Sequence, residues 1–516
     1  MTTWAGSFES RGAPAAEQGG RRASGLRRGR QGRAYPAPGF VLPTVLLVLI
    51  LLALLAGSFA FEMHADVAST RAVAYRLQTR LAAEAGIERV SLLLRERRLD
   101  VNAWYHNPDE LHRAIVWKSG SEPSEFGLPS QVDMEDKPAF RFSIVADEPG
   151  DDEFLVRYGI TNEAAKLNIN VATVDQLRTL LAQVVPPEVS VEELADALID
   201  WRDQDNEPGE NGAEFEYYAS LEPPYRPKNG PFDTVEELLM VKGFTAQILY
   251  GEDYDRNGLL SQNEDDGDET FPIDNSDGEL SRGLFPYVTV WSRDFNTAND
   301  NKTRVYVMGA GSKLEEQLSE YFTEEEVAFI GFAASEQNEN LQTGLVDLLK
   351  PFKNGDEEHA SPFETEDLHR ILDRLTVDPN PEFVGLIDVN TAPAEVLRCV
   401  RGMTEPLITE IITRRATLTS EAKATPAWLF IEQLVDDVAL SELMFSITTR
   451  GQQFTIESLG YADHVGTVTR LQAIIEMRGP VAQIVYYRDL TPLGIGYPIR
   501  LEDEVEGGQP SVIAPG

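Results

Sequence analysis

Residues 253–264 read Asp253-Tyr254-Asp255-Arg256-Asn257-Gly258-Leu259-Leu260-Ser261-Gln262-Asn263-Glu264. Acidic or amide side chains at alternate places, then a glycine and a closing glutamate, make the pattern of a calcium-binding loop. Calcium takes about six to eight hard oxygen ligands in flexible geometry. Asp253, Asp255 and Asn257 offer three side-chain oxygens on a tight turn that Gly258 permits. Leu259 offers its carbonyl, Ser261 can bind directly or through water, and Glu264 can supply both oxygens. Leu260 stands where such loops usually anchor to a core. The flanks QILYGE and DDGDETFPIDN do not promise a regular helix after the loop, so the expectation is a structural clamp, not a sensor that opens.

A second acidic group comprises Asp200, Asp203, Asp205, Glu207, Glu210 and Glu214. No spacing rule selects among them. Asp203, Asp205 and Glu214 are the expected ligands of a second calcium ion, against the alternative of a solvated acidic loop.

Catalytic arrangements are not evident. The six histidines fall singly, with no H-E-x-x-H, and the chain has neither a P-loop nor a G-x-S-x-G run. The reading is therefore non-enzymatic. Cys399 is the only cysteine, so no intrachain disulfide can form; it reads as a small buried apolar residue.

The elements that must position these groups begin with a membrane segment. Phe40 to Phe61 is unbroken apolar sequence, and about 22 residues of helix span roughly the 30 Å hydrocarbon core of a bilayer. The net charge is −40 over 516 residues, but residues 1–39 carry seven arginines and two glutamates, leaving about −45 for the rest. The positive-inside rule keeps the basic leader cytoplasmic and sends the C-terminal bulk across the membrane. An acidic bulk argues against nucleic acid as partner, because phosphate binding needs a basic surface. Val67, Ala74, Leu77, Leu81 and Ala85 recur at near-helical spacing, and Leu92, Leu93 and Leu94 extend them. One helix from about Pro43 to Arg98 is expected, apolar all round at first and amphipathic later.

Further on, residues 100–137 read as loops and short helix, and 140–146 with 154–160 as a β-hairpin across DEPGDD. Helices are expected after a Thr173 N-cap, at 191–201, and from Asp233 or Thr234. YVTVWS and TRVYVMG read as strands. The grammar of LNINVATVDQL at 167–177 returns as IDVNTAPAEVL at 387–397, each an extended run before a capped helix. Near the end, QQFTIESLGYADHVGTVTRLQAIIEM is a strand-turn-strand signal.

Three resemblances follow from these residues. The Gly39-Phe40 junction between a basic leader and an apolar helix resembles a type IV pilin precursor. Cleavage there would leave Phe40 as an N-methylated terminus, and the fifth mature residue would be Thr44, where most pilins carry glutamate. The repeated units, with turns Val241-Lys242-Gly243-Phe244 and Arg401-Gly402-Met403-Thr404, resemble helix-hairpin-helix modules; the alternative function is thus a membrane-anchored DNA-uptake or type IV pilus-associated binding protein. The longest resemblance joins TNEAAKLNIN, ALIDWRDQD…GAEFEYYASLEPPYRPKNGPFDTVEELLMVKG, LFPYVTVWS and DVNTAPAEVL. Over most of residues 36–490 the chain resembles the type II secretion system protein K family, the large minor pseudopilins.

That resemblance implies an α+β fold in which a long N-terminal transmembrane and amphipathic helix packs on a small antiparallel, pilin-like sheet, with a large mainly helical domain inserted. It implies calcium as cofactor. It also implies a place at the tip of a pseudopilus, inner-membrane anchorage by a single span with a periplasmic C-terminal domain, and partners among the I- and J-type minor pseudopilins, the major pseudopilin and the prepilin peptidase. The expected divisions are a leader at 1–39, the helix at 40–100, a pilin-like β region at 101–165, the inserted domain at 166–450 with both repeats and the calcium loop, C-terminal strands at 451–490, and a flexible tail at 491–516. The Asp253–Glu264 loop and residues 311–385 look like additions to the family pattern.

Overall fold

The computed structural model describes residues 41–118, 139–147, 156–267, 269–308, 313–334, 341, 344–354, 357–463 and 465–497. The leader, the Gly39-Phe40 junction and residues 498–516 lie outside these. The chain divides into two compact units, Met1–Thr70 and Arg71–Gly516.

Helix α1 runs Val41–Arg97, as the unbroken helical pattern predicts. In the first unit its leucines and valines are exposed, and by length and composition it could cross a membrane. In the second unit it buries Thr79, Ala82, Ala83, Ile87, Val90, Leu93 and Leu94, at helical spacing of three and four. This corrects the expected face: Val67, Leu77, Leu81 and Leu92 are exposed. Where helix and sheet come closest, at Ala82, Ala83 and Gly86, small residues let the helix axis approach, and Ile87, Val90, Leu93 and Leu94 pack against the sheet further along.

The sheet has strands β1 (Ala114–Lys118), β2 (Ala139–Val145), β3 (Thr161–Asn162), β4 (Gln453–Ala462), β5 (Val465–Arg478) and β6 (Val481–Asp489). Their order is β1-β2-β4-β5-β6, with β3 pairing the start of β4, and every pair is antiparallel. The expected β4–β5 hairpin forms. The hairpin expected at 140–146 and 154–160 does not form among the described residues. β2 instead pairs with β1 and β4, and Ala146 meets Arg157 only in an isolated bridge. β1 stands where the sequence reads as loops and short helix. The other partner of β2, β4, lies more than 300 residues away in the chain, and such a pairing gives no local hairpin signal.

α1 seats on β4 through glycine. A Cβ on Gly460 would collide with the Thr79 carbonyl and the Ala83 amide, and one on Gly86 with Ser458. Ser458 Oγ donates to the Ala83 carbonyl at 2.8 Å, and Thr79 and Thr469 hydroxyls meet at 2.8 Å. The α+β architecture expected from the sequence, a long helix on a small antiparallel sheet, is therefore the one present.

Between β3 and β4 lies a separate, mainly helical core running from Ala165 to Ile447. It contains the repeated grammar as repeated structure. In the first copy Leu167–Asn168 pairs in parallel with Val288–Thr289. Thr173 then closes a capping box on α2 (Val174–Val184), and α3 (Val191–Arg202) returns so that Arg202 donates to the carbonyls of Ile169 and Ala172. In the second, Ile387–Asp388 pairs in parallel with Ile447–Thr448. A short helix Ala394–Leu397 leads to α4 (Glu405–Thr417), from which Arg415 donates to Val389 and Ala392. The two signature runs meet where Asn162 Nδ2 donates to Asp388 Oδ2 at 2.8 Å.

Other expectations are corrected. The element after Thr234 is a 3-10 helix, Val235–Met240, whose cap makes no side-chain hydrogen bond. YVTVWS and TRVYVMG shrink to Val288–Thr289 and Val305–Tyr306, because each finds only a two-residue parallel partner, Leu167–Asn168 and Leu375–Thr376. The apparent addition at 311–385 sends Leu318, Phe322, Phe329, Ile330 and Phe363 into that same core. The tail is not free from its start, since Tyr497 is buried. Cys399 is buried, and burial pushes its thiol up to about 12.

Gly460→Val should destabilise the second unit by about 1–3 kcal/mol through overpacking, read as a lowered urea midpoint. Valine at Gly466, where a Cβ meets open space, should leave the midpoint unchanged.

Candidate metal centre

The Asp253 loop follows a short helix, Ala246–Tyr250, that ends at Gly251 in a left-handed conformation. It closes on a 3-10 turn, Gln262–Glu264, with no regular exit helix. Gly258 has φ +70°, and a side chain there would strike Asp147, so glycine is required twice over. The turn aims backbone N–H groups at the acids. Asn257 N donates to Asp253 Oδ1 at 3.0 Å and to Asp255 Oδ1 at 3.1 Å, and Gly258 N to Asp253 Oδ2 at 3.0 Å. Glu264 accepts from Tyr254 N at 3.0 Å, Ser261 N at 3.0 Å and Ser261 Oγ at 2.6 Å. Oxygens of Asp253, Asp255 and Glu264 all lie within 4.8 Å of one another.

This crowding has an electrostatic signature. Burial, then the charges of Asp147, Asp255 and Glu264, pushes Asp253 up to about 8. Burial, then Glu264, pushes Asp255 up to about 6, against the pull of Arg470. Asp253 and Asp255, which resist ionisation, stand with the buried Glu264 in an oxygen set that a divalent cation would satisfy. Asn257 lies within the loop: its Oδ1 accepts from Leu259 N, and its Nδ2 donates to Asp255 Oδ2 at 2.9 Å. The core anchor is Leu259, packed against Val145, Leu459, Tyr461, Val468 and Tyr497. It takes the part expected of Leu260, because the alternation of the turn points residue 259 toward the sheet.

Sequence reasoning missed three groups that hold the loop. Arg470 on β5 donates to the carbonyls of Asp255 and Arg256, both at 2.7 Å, and to Glu457 at 2.5 Å. Arg282 donates to the Gly258 carbonyl at 2.7 Å and pairs with Asp147 at 2.8 Å. Asp147 and Arg470 stand far from the loop in the chain, and no spacing could have indicated them.

The second cluster also assembles. Of its six acids the structure brings together Asp203, Asp205 and Glu214, with oxygens within 4.8 Å. Glu214 is 5% exposed, and both its carboxylate oxygens are buried without a hydrogen-bond partner. Burial, then Asp200, Asp203 and Asp205, pushes it up to about 7. A cation would supply what these oxygens lack. Asp200 is already engaged, accepting from Gly209 N at 3.1 Å. Close by, Lys242 of the first hairpin turn donates to the Asn211 and Gly212 carbonyls at 3.0 and 3.1 Å, so its ammonium serves the loop and not an external phosphate.

Residues 156–250 match the family model of type II secretion system (T2SS), protein K. The matched stretch holds β3, α2, α3 and the Glu214 cluster, and it stops three residues before Asp253. Type II secretion system protein K of Pseudomonas aeruginosa is 38% identical over 87 residues, 17% of this chain and 26% of that protein. The protein K of Pectobacterium carotovorum subsp. carotovorum is 31% identical over 93 residues, 18% of this chain and 28% of that protein. The chain thus spans about a quarter of the length of the curated relatives it matches. A crystal structure of the GspK-GspI-GspJ complex from enterotoxigenic Escherichia coli aligns at 14% identity, covering 82% of this chain and 99% of that one, with a TM-score of 0.35. The protein K resemblance read from the sequence is borne out where the family model matches.

Asp253, Asp255 and Glu214 have raised folded-state values, so the metal-free fold retains protons that the unfolded chain has released. The stability from this source is complete below about pH 4, falls as pH rises and is gone above about pH 8. In chelator, the thermal midpoint should drop across that window, and Asp253→Asn should flatten the upper part of the drop. A variant profile that follows the native one would refute this account of burial and neighbouring charge.

Proposed function

We propose that this chain is a minor pseudopilin at the tip of a type II secretion pseudopilus, where it initiates or caps the filament and supports protein export. The observation that carries the reading is the protein K match at 156–250 within a domain that interrupts a helix-on-sheet scaffold. In this reading the apolar part of α1 anchors the chain once in the inner membrane and the second unit lies in the periplasm. Exposed Val73, Leu77 and Leu81 offer a face to neighbouring subunits' helices. The proposed partners are the I- and J-type minor pseudopilins and the major pseudopilin. The inserted domain acts as a steric block above the last subunit. The role is to bind and block, with no reaction to catalyse.

Gly39-Phe40 is the proposed site of cleavage and N-methylation by the prepilin peptidase. Thr44 then leaves the mature terminus without the acid that would pair with a neighbour's amine, a loss that a terminal subunit can bear. Edman or mass analysis of protein from cells with active peptidase should return N-methyl-Phe40; an intact Met1 would reject the processing step. Co-expressed in detergent, the full chain should co-elute with I- and J-type pseudopilins, and failure to do so would count against the tip assignment.

Calcium is the proposed ion at both acidic centres. Asp253, Asp255, Asn257, Ser261 and Glu264, with the Leu259 carbonyl, would hold one ion, and Asp203, Asp205 and Glu214 the other. When bound, the ion supplies positive charge that lets the buried carboxylates ionise. A ligand that binds only the folded state stabilises it by about 2.7 kcal/mol at about 100 times its Kd. The thermal midpoint should therefore rise on adding calcium to chelated protein. Asp253→Asn and Glu214→Gln should each remove part of that rise, and the absence of any rise would exclude structural calcium.

A further inference from the structure

The segment 490–497 is tied to the Asp253 loop at several points. Leu490 is buried, and its N–H donates to the Arg470 carbonyl at 2.8 Å, while Arg470 N donates to Thr491 Oγ1 at 3.1 Å. A 3-10 turn, Thr491–Leu493, then reverses the chain. At Gly496 the backbone has φ +68°, and a Cβ there would lie 2.8 Å from Asn257 Cβ and 3.1 Å from Asp255 Oδ2. No other residue type fits so close to the acids. The Gly496 carbonyl accepts from Asn257 Nδ2 at 2.6 Å. Tyr497 then inserts beside Leu259 and Tyr461, with the Arg470 guanidinium 5.3 Å from its ring centre. Leu490 and Tyr497 line one side of a cavity of about 70 Å³ whose other walls include Asp147, Asp253, Arg256 and Glu457.

We infer that residues 490–497 form a strap over the Asp253 loop, and that cation occupancy of the loop and docking of the strap are coupled through Asn257. The inference rests on the calcium reading of this loop. Asn257 is the one side chain that both belongs to the donor pattern and holds the strap. A cation bound by Asp253, Asp255, Asn257 and Glu264 restrains the Asn257 side chain, and a restrained Asn257 fixes the Gly496 carbonyl. Linkage makes the effect reciprocal: whatever docks the strap also tightens the loop's hold on its ion.

Hydrogen exchange of the full chain in detergent tests this, with terbium luminescence as an independent probe of loop occupancy. Amides of 491–497 should exchange about tenfold more slowly in calcium than in chelator. Asp253→Asn should abolish the difference, while Glu214→Gln, at the other centre, should keep it. Gly496→Val should weaken terbium binding at the loop about tenfold. Ion binding at the loop with equal exchange of 491–497 in both conditions overturns the strap alone. No binding at the loop overturns the strap together with the calcium reading.

Discussion

The second unit depends on one buried cation. Arg470 lies in the long strand β5 with its side chain 1% exposed, and a guanidinium stripped of water must find partners for all its donors. It finds them on two different parts of the molecule. Its Nε meets Glu457 on the neighbouring strand, and its two terminal nitrogens meet the carbonyls of Asp255 and Arg256. Removing either side would strand a buried charge, which costs far more than a surface ion pair contributes. The loop, the sheet and the C-terminal segment beside Tyr497 are therefore held to one geometry.

A second constraint is distance. α1 comes close enough to β4 that the positions at the crossing must be Gly86, Ala82, Ala83 and Gly460. Further along α1 the larger Ile87, Val90, Leu93 and Leu94 fill the space against the sheet, while Leu77, Leu81 and Leu92 stay exposed.

The grouping of the acidic side chains was largely legible. A loop whose acids lie close together in the chain carries its geometry in its own spacing, so the approach of Asp253, Asp255 and Glu264 could be read without a fold. The second cluster was legible only as a group. Choosing Asp203, Asp205 and Glu214 over Asp200, Glu207 and Glu210 depends on the backbone between α3 and the next helix, which ties Asp200 to Gly209 N and buries Glu214. The repeat was visible as Asn168-x-Asn170 and Asp388-x-Asn390. Its clamps, Arg202 and Arg415 reaching back to the carbonyls of each turn, were not.

By itself the sequence determined what local spacing encodes: the apolar span, the Thr173 cap, the grouping of the acidic side chains and the strand-turn-strand at the end. These are short-range consequences of residue size, polarity and backbone preference. Only the tertiary structure decided which face of α1 is buried, that β2 lies between β1 and β4, that Asn162 meets Asp388, and that Gly496 seats against Asn257. Each of those depends on partners dozens to hundreds of residues apart. The physical reason is that a pairing between distant residues is selected by the whole packed core, and no window of sequence contains that sum.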